Sequence, residues 1–360
     1  MKRIVFQSNQ LSVRGTEVAL YDYALYNREI LGNESIVVYG KGSPSNDSAV
    51  IEKFRRQFPV HAYEDFSEVD HLIEREKADI FYAIKAGRKD GVVASGVPTM
   101  VHAVFPTFSA GFHGATYAFV SDWLSAVCSN RKAPVVPHIV SLPSIHECMR
   151  DELGIPEAAM VFGCHGGADS FDLDFARFCV LKAVEKRSNV YFVFLNIPRF
   201  VQHERVFFLP RSADIQYKVR FINTCDAMLH ARKRGETFGL ACAEFSARNR
   251  PVLTYSRSGE RNHIDVMADK AFLYDGPRSL LRFLLELRPE DVRSGEWDCY
   301  SKVFSPERVM RRFQDVFVDG ALLRGLKNDG GIALDWVDRL AIAARRVELR
   351  RIKLSRLLPG

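Results

Sequence analysis

Short apolar runs alternate with longer amphipathic stretches along most of the chain. The apolar runs are rich in Val, Ile, Phe and Tyr, a composition typical of buried strands. In the first half the predicted strands lie at 4–7, 36–39, 60–63, 80–84 and 99–105, with predicted helices at 16–31, 49–57 and 66–77. Strands that alternate with helices in this way form a mostly parallel sheet covered on both faces. The pattern therefore predicts an α/β fold.

The alternation resumes after a stretch near 141–157, where Pro143 and Pro156 are predicted to bracket a short helix at an interdomain hinge. A length of 360 residues suits two domains of roughly 150 residues each. The pattern predicts an N-terminal domain at 1–145, a C-terminal domain at 155–320 closed by a helix near 306–318, and a helical tail at 321–360. Both domains are predicted to have Rossmann-like parallel sheets.

Composition narrows the class of protein. A hydrophobic content of 47% with 26% charged residues is ordinary for a globular protein, and no apolar run approaches the roughly 20 residues of a membrane span. The N-terminus turns polar after one strand, which argues against a signal peptide. Seven scattered cysteines without C-x-x-C spacing predict free thiols, no structural zinc and a cytoplasmic location. A net charge of +6 fits an anionic ligand and gives no indication of nucleic-acid binding.

The best candidate for chemistry lies in the stretch 225–254. An apolar run ends at His230, and a polar loop then leads to a predicted helix. Ligands of parallel α/β sheets bind where such a loop meets a helix N-terminus. Backbone amides there face an anion and the helix dipole adds attraction. The amides expected to bind it belong to Thr237, Phe238, Gly239 and Leu240.

Two carboxylates, Glu236 and Glu244, bracket this turn with seven residues between them. A carboxylate accepts hydrogen bonds from hydroxyl groups and does not hold a phosphate. Phosphate-binding amides between two hydroxyl acceptors suit a diphosphate with a sugar on each side, which is a nucleotide sugar. A surface helix with two solvated glutamates would have the same spacing.

The run G-E-x-F-G-L-x-x-x-E-F, followed by N-R-P-V, resembles the donor motif of retaining GT-B glycosyltransferases (glycosyltransferase group 1, family 4-like). The resemblance is strong over 220–256 and weaker, but in order, from residue 1 to about 318. It implies that Glu236 faces the transferred sugar and that Glu244 holds the nucleotide ribose. It also implies an N-terminal acceptor domain, a C-terminal donor domain facing it across a cleft, and sugar transfer with retention of configuration.

The same resemblance implies the reaction partners. The donor would be a nucleoside diphosphate sugar acting as co-substrate, and no metal or other cofactor is expected. The acceptor would be a hydroxyl group of a glycan, a glycoprotein or a glycolipid. Two other functions stay open: a nucleotide-sugar epimerase, which shares the architecture, and a non-catalytic sugar-nucleotide-binding protein.

In the first domain the resemblance makes the turn around Arg14 and Gly15 a candidate for closing over the donor diphosphate. His102, at the end of a predicted central strand, would lie near the transferred sugar, and His113 would lie on the acceptor side. Taken alone, the first turn also fits an ordinary helix cap made by Thr16. Taken alone, the histidines also fit packing positions.

In the second domain the glycine-rich turn 163–167 would bring Gly166 and Gly167 close to a phosphate, although a tight turn without any ligand has the same pattern. Related enzymes usually carry an arginine and a lysine here, whereas this chain has His165. The missing positive charge would come from Arg14 across the cleft, or from Arg232 or Lys218. The loop with Arg211 lies where similar enzymes bind the nucleobase, and Asp172-Leu173-Asp174 fits an acidic first helical turn.

The last stretch, 333–358, is amphipathic and basic. It contains three acidic residues and seven basic ones. The basic residues are Arg339, Arg345, Arg346, Arg350, Arg351, Lys353 and Arg356. A solvated face of a terminal helix is the simpler interpretation. A weak peripheral contact with an anionic membrane, where lipid-linked acceptors occur, is the alternative.

Overall fold

The computed structural model describes residues 1–167 and 169–355. The chain divides into two compact units. Unit 1 comprises Met1–Ile139 together with the C-terminal segment that begins at Phe304, and unit 2 is Val140–Val303. Each unit contains one six-stranded sheet in which every neighbouring pair of strands is parallel.

Unit 1 begins with the predicted alternation of strands and helices. Its elements are β1 (Arg3–Ser8), α1 (Gly15–Glu29), β2 (Glu34–Gly40), α2 (Ser48–Arg55), β3 (Val60–Tyr63), α3 (Ser67–Arg75), β4 (Ile80–Lys85), β5 (Thr99–Ala103), β6 (Thr116–Phe119) and α4 (Asp122–Ser129). The strand order is β3-β2-β1-β4-β5-β6. Every residue of β4 and β5 is buried, as expected for central strands covered on both faces.

The connection between the units differs from its prediction. No helix forms between Pro143 and Pro156; the chain is irregular as far as Cys148 and then forms turns. The side chains that hold this segment come from unit 2. The amide of Asn223 donates to the carbonyl of Ile145 at 2.9 Å, and Thr224 accepts from the Met149 amide at 2.8 Å. Anchoring by tertiary hydrogen bonds replaces the predicted helix.

Unit 2 repeats the alternation around a second sheet. Its elements are β7 (Met160–His165), α5 (Asp174–Lys186), β8 (Val190–Leu195), β9 (Val206–Leu209), α6 (Ile215–Thr224), β10 (Ala227–His230), β11 (Gly235–Glu236), α7 (Leu240–Ala247), β12 (Val252–Tyr255), β13 (Glu260–Arg261), α8 (Asn262–Met267), β14 (Phe272–Tyr274), α9 (Pro277–Glu286) and α10 (Pro289–Arg293). The main sheet has the order β14-β12-β10-β7-β8-β9, and β11 pairs with β13. The strand β10 is therefore central.

The C-terminal segment contains α11 (Pro306–Phe313), a π-helical turn (Gln314–Asp319), α12 (Gly320–Arg324) and α13 (Trp336–Ser355). We predicted that the helix near 306–318 closes the second domain, and that prediction is wrong. The Phe313 ring lies 5.4 Å from that of Tyr82 and 5.5 Å from that of Tyr23, both in the core of unit 1. Unit 1 is thus built from two separate stretches of the chain.

Two properties predicted from composition concern the cysteines and membrane-spanning helices. All seven cysteines are free thiols, and five are buried. None of the helices in the described residues is long and apolar enough to cross a bilayer.

Candidate functional site

The candidate site lies at the carboxyl edge of the unit 2 sheet. His230 is the last residue of β10, and it pairs in register with Thr254 of the neighbouring strand β12. The loop after β10 runs through β11 to the N-terminus of α7. Because the first amides of a helix have no partner within the helix, this edge offers hydrogen-bond donors close to both glutamates.

Two glycines allow the loop to pack tightly. Gly235 and Gly239 have φ angles of +81° and +93°, a region that favours glycine. A Cβ atom on Gly235 would come within 2.0 Å of the Glu260 carbonyl oxygen, and one on Gly239 would come within 3.0 Å of the His263 Cβ. The loop can therefore bring Glu236 close to α8 only with glycine at these positions.

Glu236 is held by a cation and a histidine. Its Oε1 atom accepts a hydrogen bond from Arg232 Nη1 at 3.0 Å and from His230 Nε2 at 3.3 Å. Arg232 also donates to Asp169 at 3.2 Å. Burial alone raises the pKa of Glu236, but His230 and Arg232 outweigh it and lower that pKa to about 2. The carboxylate is therefore ionised at neutral pH and can accept hydrogen bonds from a ligand.

Behind Glu236 the hydrogen bonds continue inward as a chain. His230 Nδ1 lies 2.8 Å from the Thr254 hydroxyl, which lies 2.9 Å from His263 Nε2. Ionised Glu236 can only accept, so His230 carries its proton on Nε2 and accepts on Nδ1 from Thr254. Thr254 then accepts from His263 Nε2, which leaves His263 Nδ1 as a bare acceptor. That atom is buried and has no hydrogen-bond partner among the described residues.

Glu244 has a matching pair of partners. Lys218 of α6 donates to Oε1, and His165 Nε2 lies 2.9 Å from Oε2. The His165 ring stacks on Phe245 with centroids 5.9 Å apart. Burial raises the pKa of Glu244, but the charge of Lys218 and the contact with His165 outweigh it and lower the pKa to about 2. A second ionised carboxylate therefore lies within α7 itself.

Other predicted donor residues of unit 2 are less suited to binding. The amides of Gly166 and Gly167 already donate within the protein, to the Leu195 carbonyl at 3.3 Å and to the Ser170 hydroxyl at 2.9 Å. These hydrogen bonds occupy both amides, and the predicted close approach of Gly166 and Gly167 to a phosphate stays a prediction. Phe238 is buried and packs on Tyr300, whereas Thr237 and Leu240 are half-buried and Arg211 is exposed.

In unit 1, His102 lies in the protein core. It is fully buried, with Nδ1 2.7 Å from the Tyr82 hydroxyl and Nε2 donating to the Val136 carbonyl at 2.8 Å. The Phe317 ring lies 5.0 Å from its ring. This burial argues against the predicted position of His102 near the transferred sugar. The returning C-terminal segment covers the ring, and burial lowers its pKa well below the ordinary value.

His113 is also buried, and its Nδ1 lies 2.6 Å from the Gly111 carbonyl. Its backbone is close enough to Gly330 that a Cβ there would come within 3.1 Å of the His113 amide. This burial argues against the predicted acceptor-side role of His113. Arg14 and Gly15 are exposed at the start of α1, where Arg14 is the N-cap residue in place of the predicted Thr16. Their role towards a donor stays a prediction.

His230, Thr254 and His263 belong to the site although the sequence pattern did not predict them as members. One signal was present: two polar residues, His230 and Thr254, lie near the ends of adjacent apolar strands, and parallel strands present such residues at one edge. His263 gave no comparable signal because its contact depends on how α8 packs. No cluster of three or more His, Cys, Asp or Glu side chains within the described residues could hold a metal ion.

The fold of this chain is similar to the folds of several solved structures. Alr3699/HepE from Anabaena, crystallised with UDP-glucose, has 14% sequence identity and a TM-score of 0.64 over 89% of this chain and 100% of that one. A glycosyltransferase from Rickettsia africae has 11% identity and a TM-score of 0.62 over 89% and 98%. The chain has the GT-B fold. No protein-family model and no curated protein sequence matches it.

The GT-B fold is shared by more than one enzyme class. A putative UDP-N-acetylglucosamine 2-epimerase from Listeria monocytogenes has 14% identity and a TM-score of 0.56, over 88% of this chain and 97% of that one. At identities this low the similarity establishes the fold, and the reaction has to be argued from the site.

Proposed function

We propose that this chain transfers a sugar from a nucleoside diphosphate sugar to a hydroxyl acceptor, with retention of configuration. One observation carries the proposal: two ionised carboxylates, Glu236 and Glu244, flank the N-terminus of α7 at the carboxyl edge of a parallel sheet. Carboxylates bind hydroxyl groups and the helix N-terminus binds phosphate, which together match the parts of a nucleotide sugar.

In this proposal each group has one role. Glu244 accepts hydrogen bonds from the ribose, because its Oε2 atom has no hydrogen-bond partner among the described residues and its lone pairs are available. Glu236 accepts from a hydroxyl of the transferred sugar. The amides at the start of α7 stabilise the diphosphate, and Arg232 or Arg14 supplies the positive charge that the leaving group needs.

The reaction we propose is a same-face substitution. The bond between the anomeric carbon and the diphosphate oxygen breaks as the acceptor oxygen bonds to the same face of the sugar. The acceptor proton passes to the departing phosphate oxygen. Amides and cations stabilise the charge that develops there, so the step uses no metal. Activity should accordingly be unchanged when a chelator removes divalent cations from the assay.

The donor is proposed to be a uridine diphosphate sugar, since one structural neighbour was crystallised with UDP-glucose and another is a putative UDP-N-acetylglucosamine 2-epimerase. The acceptor class remains a glycan, a glycoprotein or a glycolipid. We propose a cytoplasmic location from the free thiols, and we expect no nucleic-acid partner.

The test begins with a thermal-shift screen of UDP, GDP, ADP and UDP-glucose. A ligand present at 100 times its dissociation constant should stabilise the protein by about 2.7 kcal/mol. The variant Glu244→Gln provides the matched control, because it should lose the stabilisation by the nucleotide. Absence of stabilisation by any nucleotide or nucleotide sugar would contradict the proposal.

The second candidate function is a nucleotide-sugar epimerase, which the Listeria similarity favours. The two are separated by incubating the protein with UDP-glucose or UDP-N-acetylglucosamine and no acceptor. A transferase releases the sugar slowly by hydrolysis and keeps its stereochemistry, whereas an epimerase changes the sugar while it is still attached to UDP. Binding without either reaction would indicate a non-catalytic nucleotide-sugar-binding protein.

A further inference from the structure

The helix α13 packs on α4 through one defined face. Asp338 and Ile342 are buried on this face. Asp338 accepts a hydrogen bond from the Asn130 amide at 2.8 Å, and Arg345 donates to the carbonyl of Ala126. These contacts occur at positions 338, 342 and 345, which are three and four residues apart and therefore share one side of a helix.

The opposite face of α13 is apolar and exposed to solvent. Trp336, Leu340 and Val347 are 72%, 62% and 50% exposed, and Ala343 between them is also exposed. Their spacing of three and four residues places them in one row, which we call the apolar stripe. A helix on the surface of a globular protein normally turns charged or polar residues to solvent on this side. The apolar stripe therefore indicates a contact surface.

Positive charge follows one flank of the apolar stripe. Arg339 and Arg346 lie seven residues apart on that flank, and both are exposed. The Arg346 guanidinium lies 4.9 Å from the centre of the Phe108 ring, which fixes its position beside the helix. A partner that complements this face therefore needs both negative charge and apolar groups.

A second exposed apolar segment lies beside the same loop of unit 1. Leu323 and Leu326 are 88% and 63% exposed, at the end of α12 and just after it. Between them, Arg324 Nε donates to the Ala115 carbonyl at 2.6 Å. Ala115 and Phe108 both belong to the loop between β5 and β6, so this loop contacts both segments.

The shape of the apolar stripe argues against a stable dimer as its partner. A stable protein interface buries about 800 Å² on each partner and involves roughly 20–30 residues a side. The apolar stripe is one helix face wide and has an arginine flank that a second copy would also carry. A bilayer requires no complementary shape, and an anionic leaflet supplies both the apolar phase and the negative charge.

We propose that α13 lies along an anionic membrane surface, with Trp336, Leu340 and Val347 inserted among the lipids and Arg339 and Arg346 at the headgroups. Tryptophan is favoured at this depth because its ring is amphipathic. This inference does not depend on the proposed function, since it rests only on the surface of unit 1.

The experiment is vesicle co-sedimentation with the full chain, comparing vesicles of pure phosphatidylcholine with vesicles that also contain phosphatidylglycerol. We expect binding to the anionic vesicles that weakens as salt is added, and at least tenfold weaker binding to the neutral ones. The double variant Leu340→Ser with Val347→Ser and the single variant Arg339→Glu should each reduce anionic binding about tenfold. Phe178→Ser, at a residue of α5 in unit 2 that is 54% exposed, is the matched control and should bind normally.

Fluorescence locates the contact. Brominated lipid in the anionic vesicles should quench the emission of Trp336, and Trp336→Phe should bind with this quenching removed. Each variant is first checked for an unchanged thermal midpoint, and Leu340→Gln replaces the double variant if that one unfolds. Failure to bind anionic vesicles, or binding that the stripe variants and Arg339→Glu leave unchanged, would overturn the proposal. A dimer in light scattering that the stripe variants convert to monomer would overturn it in favour of a second copy.

Discussion

Glu236 and Glu244 lie in the same short stretch and have the same lowered pKa, yet they differ in exposure and in the side chains that hold them. Glu244 is held by Lys218 and His165, and its side chain is only 7% exposed. Glu236 is 18% exposed, and its histidine passes hydrogen bonds on to Thr254 and His263. The two carboxylates therefore share an ionisation state and differ in what orients them. Glu244 is fixed by an ion pair between two helices, whereas Glu236 has an ion pair with Arg232 in its own loop and also ends a chain of hydrogen bonds.

The largest effect is expected for Glu236→Gln. This change keeps the shape but removes the charge that we propose acts on the transferred sugar, so turnover with the donor should fall about 100-fold or more, the scale seen when one preorganised electrostatic group is lost. The affinity for UDP, measured by calorimetry, should stay within about twofold. An equal loss of UDP affinity in Glu236→Gln and Glu244→Ala would show that the two roles are not separate.

Acid should weaken both carboxylate sites. The pKa of each group is about 2 in the folded protein against an ordinary value of 4.5, so the stabilisation is complete above pH 4.5 and is lost as the pH falls towards 2. A shift of this size corresponds to up to about 3 kcal/mol for each group. Thermal midpoints at several pH values should fall less steeply in acid for Glu244→Gln than for the wild type. Parallel curves would contradict the assigned ionisation.

Glu244→Ala should weaken UDP and UDP-sugar alike, by about 1.5–3 kcal/mol for a lost charged hydrogen bond. It also leaves Lys218 without its counter-charge, so the thermal midpoint should fall as well. The double variant Glu244→Ala with Lys218→Met is the control: it should recover stability without recovering nucleotide affinity. Unchanged affinity for UDP in calorimetry would remove Glu244 from the ribose site.

Variants of Arg14 and Arg232 test which of the two residues supplies the positive charge at the diphosphate. Arg14→Ala should reduce turnover about tenfold while donor affinity changes little, if this exposed residue acts only in the reacting complex. Arg232→Lys keeps a charge near Glu236 and should be milder than Arg232→Ala. Full activity in Arg14→Ala together with loss in Arg232→Ala would assign the positive charge at the diphosphate to unit 2. Full activity in both would favour a non-catalytic protein.

The smallest effect is expected for Thr254→Val, which keeps the volume but breaks the hydrogen-bond chain behind Glu236. His230 loses the donor that fixes its tautomer, so turnover should fall a few-fold with UDP affinity unchanged, and the pH profile of turnover should shift. Thr254→Ser restores the hydroxyl and should restore both. A turnover and pH profile equal to wild type in Thr254→Val would show that the chain does not orient Glu236.

The alternation of strands and helices predicted both sheets and the position of the glutamate pair. The sequence could not predict the partners of those glutamates, because Lys218 and His165 reach Glu244 from separate elements and meet it only through packing. The error at His102 and the error at the 306–318 helix have one cause. Local pattern shows that a helix has an apolar face, but it does not show which of two sheets that face covers.

The return of the chain to unit 1 has a consequence for synthesis. Unit 2 is an insertion, so a ribosome releases all of its residues before the segment that completes unit 1 has been made. Domains generally fold as units while the chain is emerging. The aromatic surface around Tyr23 and Tyr82 in the first 139 residues therefore stays exposed until Phe313 and Phe317 have been synthesised. The second unit in the sequence is the first that can finish folding, and a truncation after residue 303 should leave unit 1 prone to aggregation.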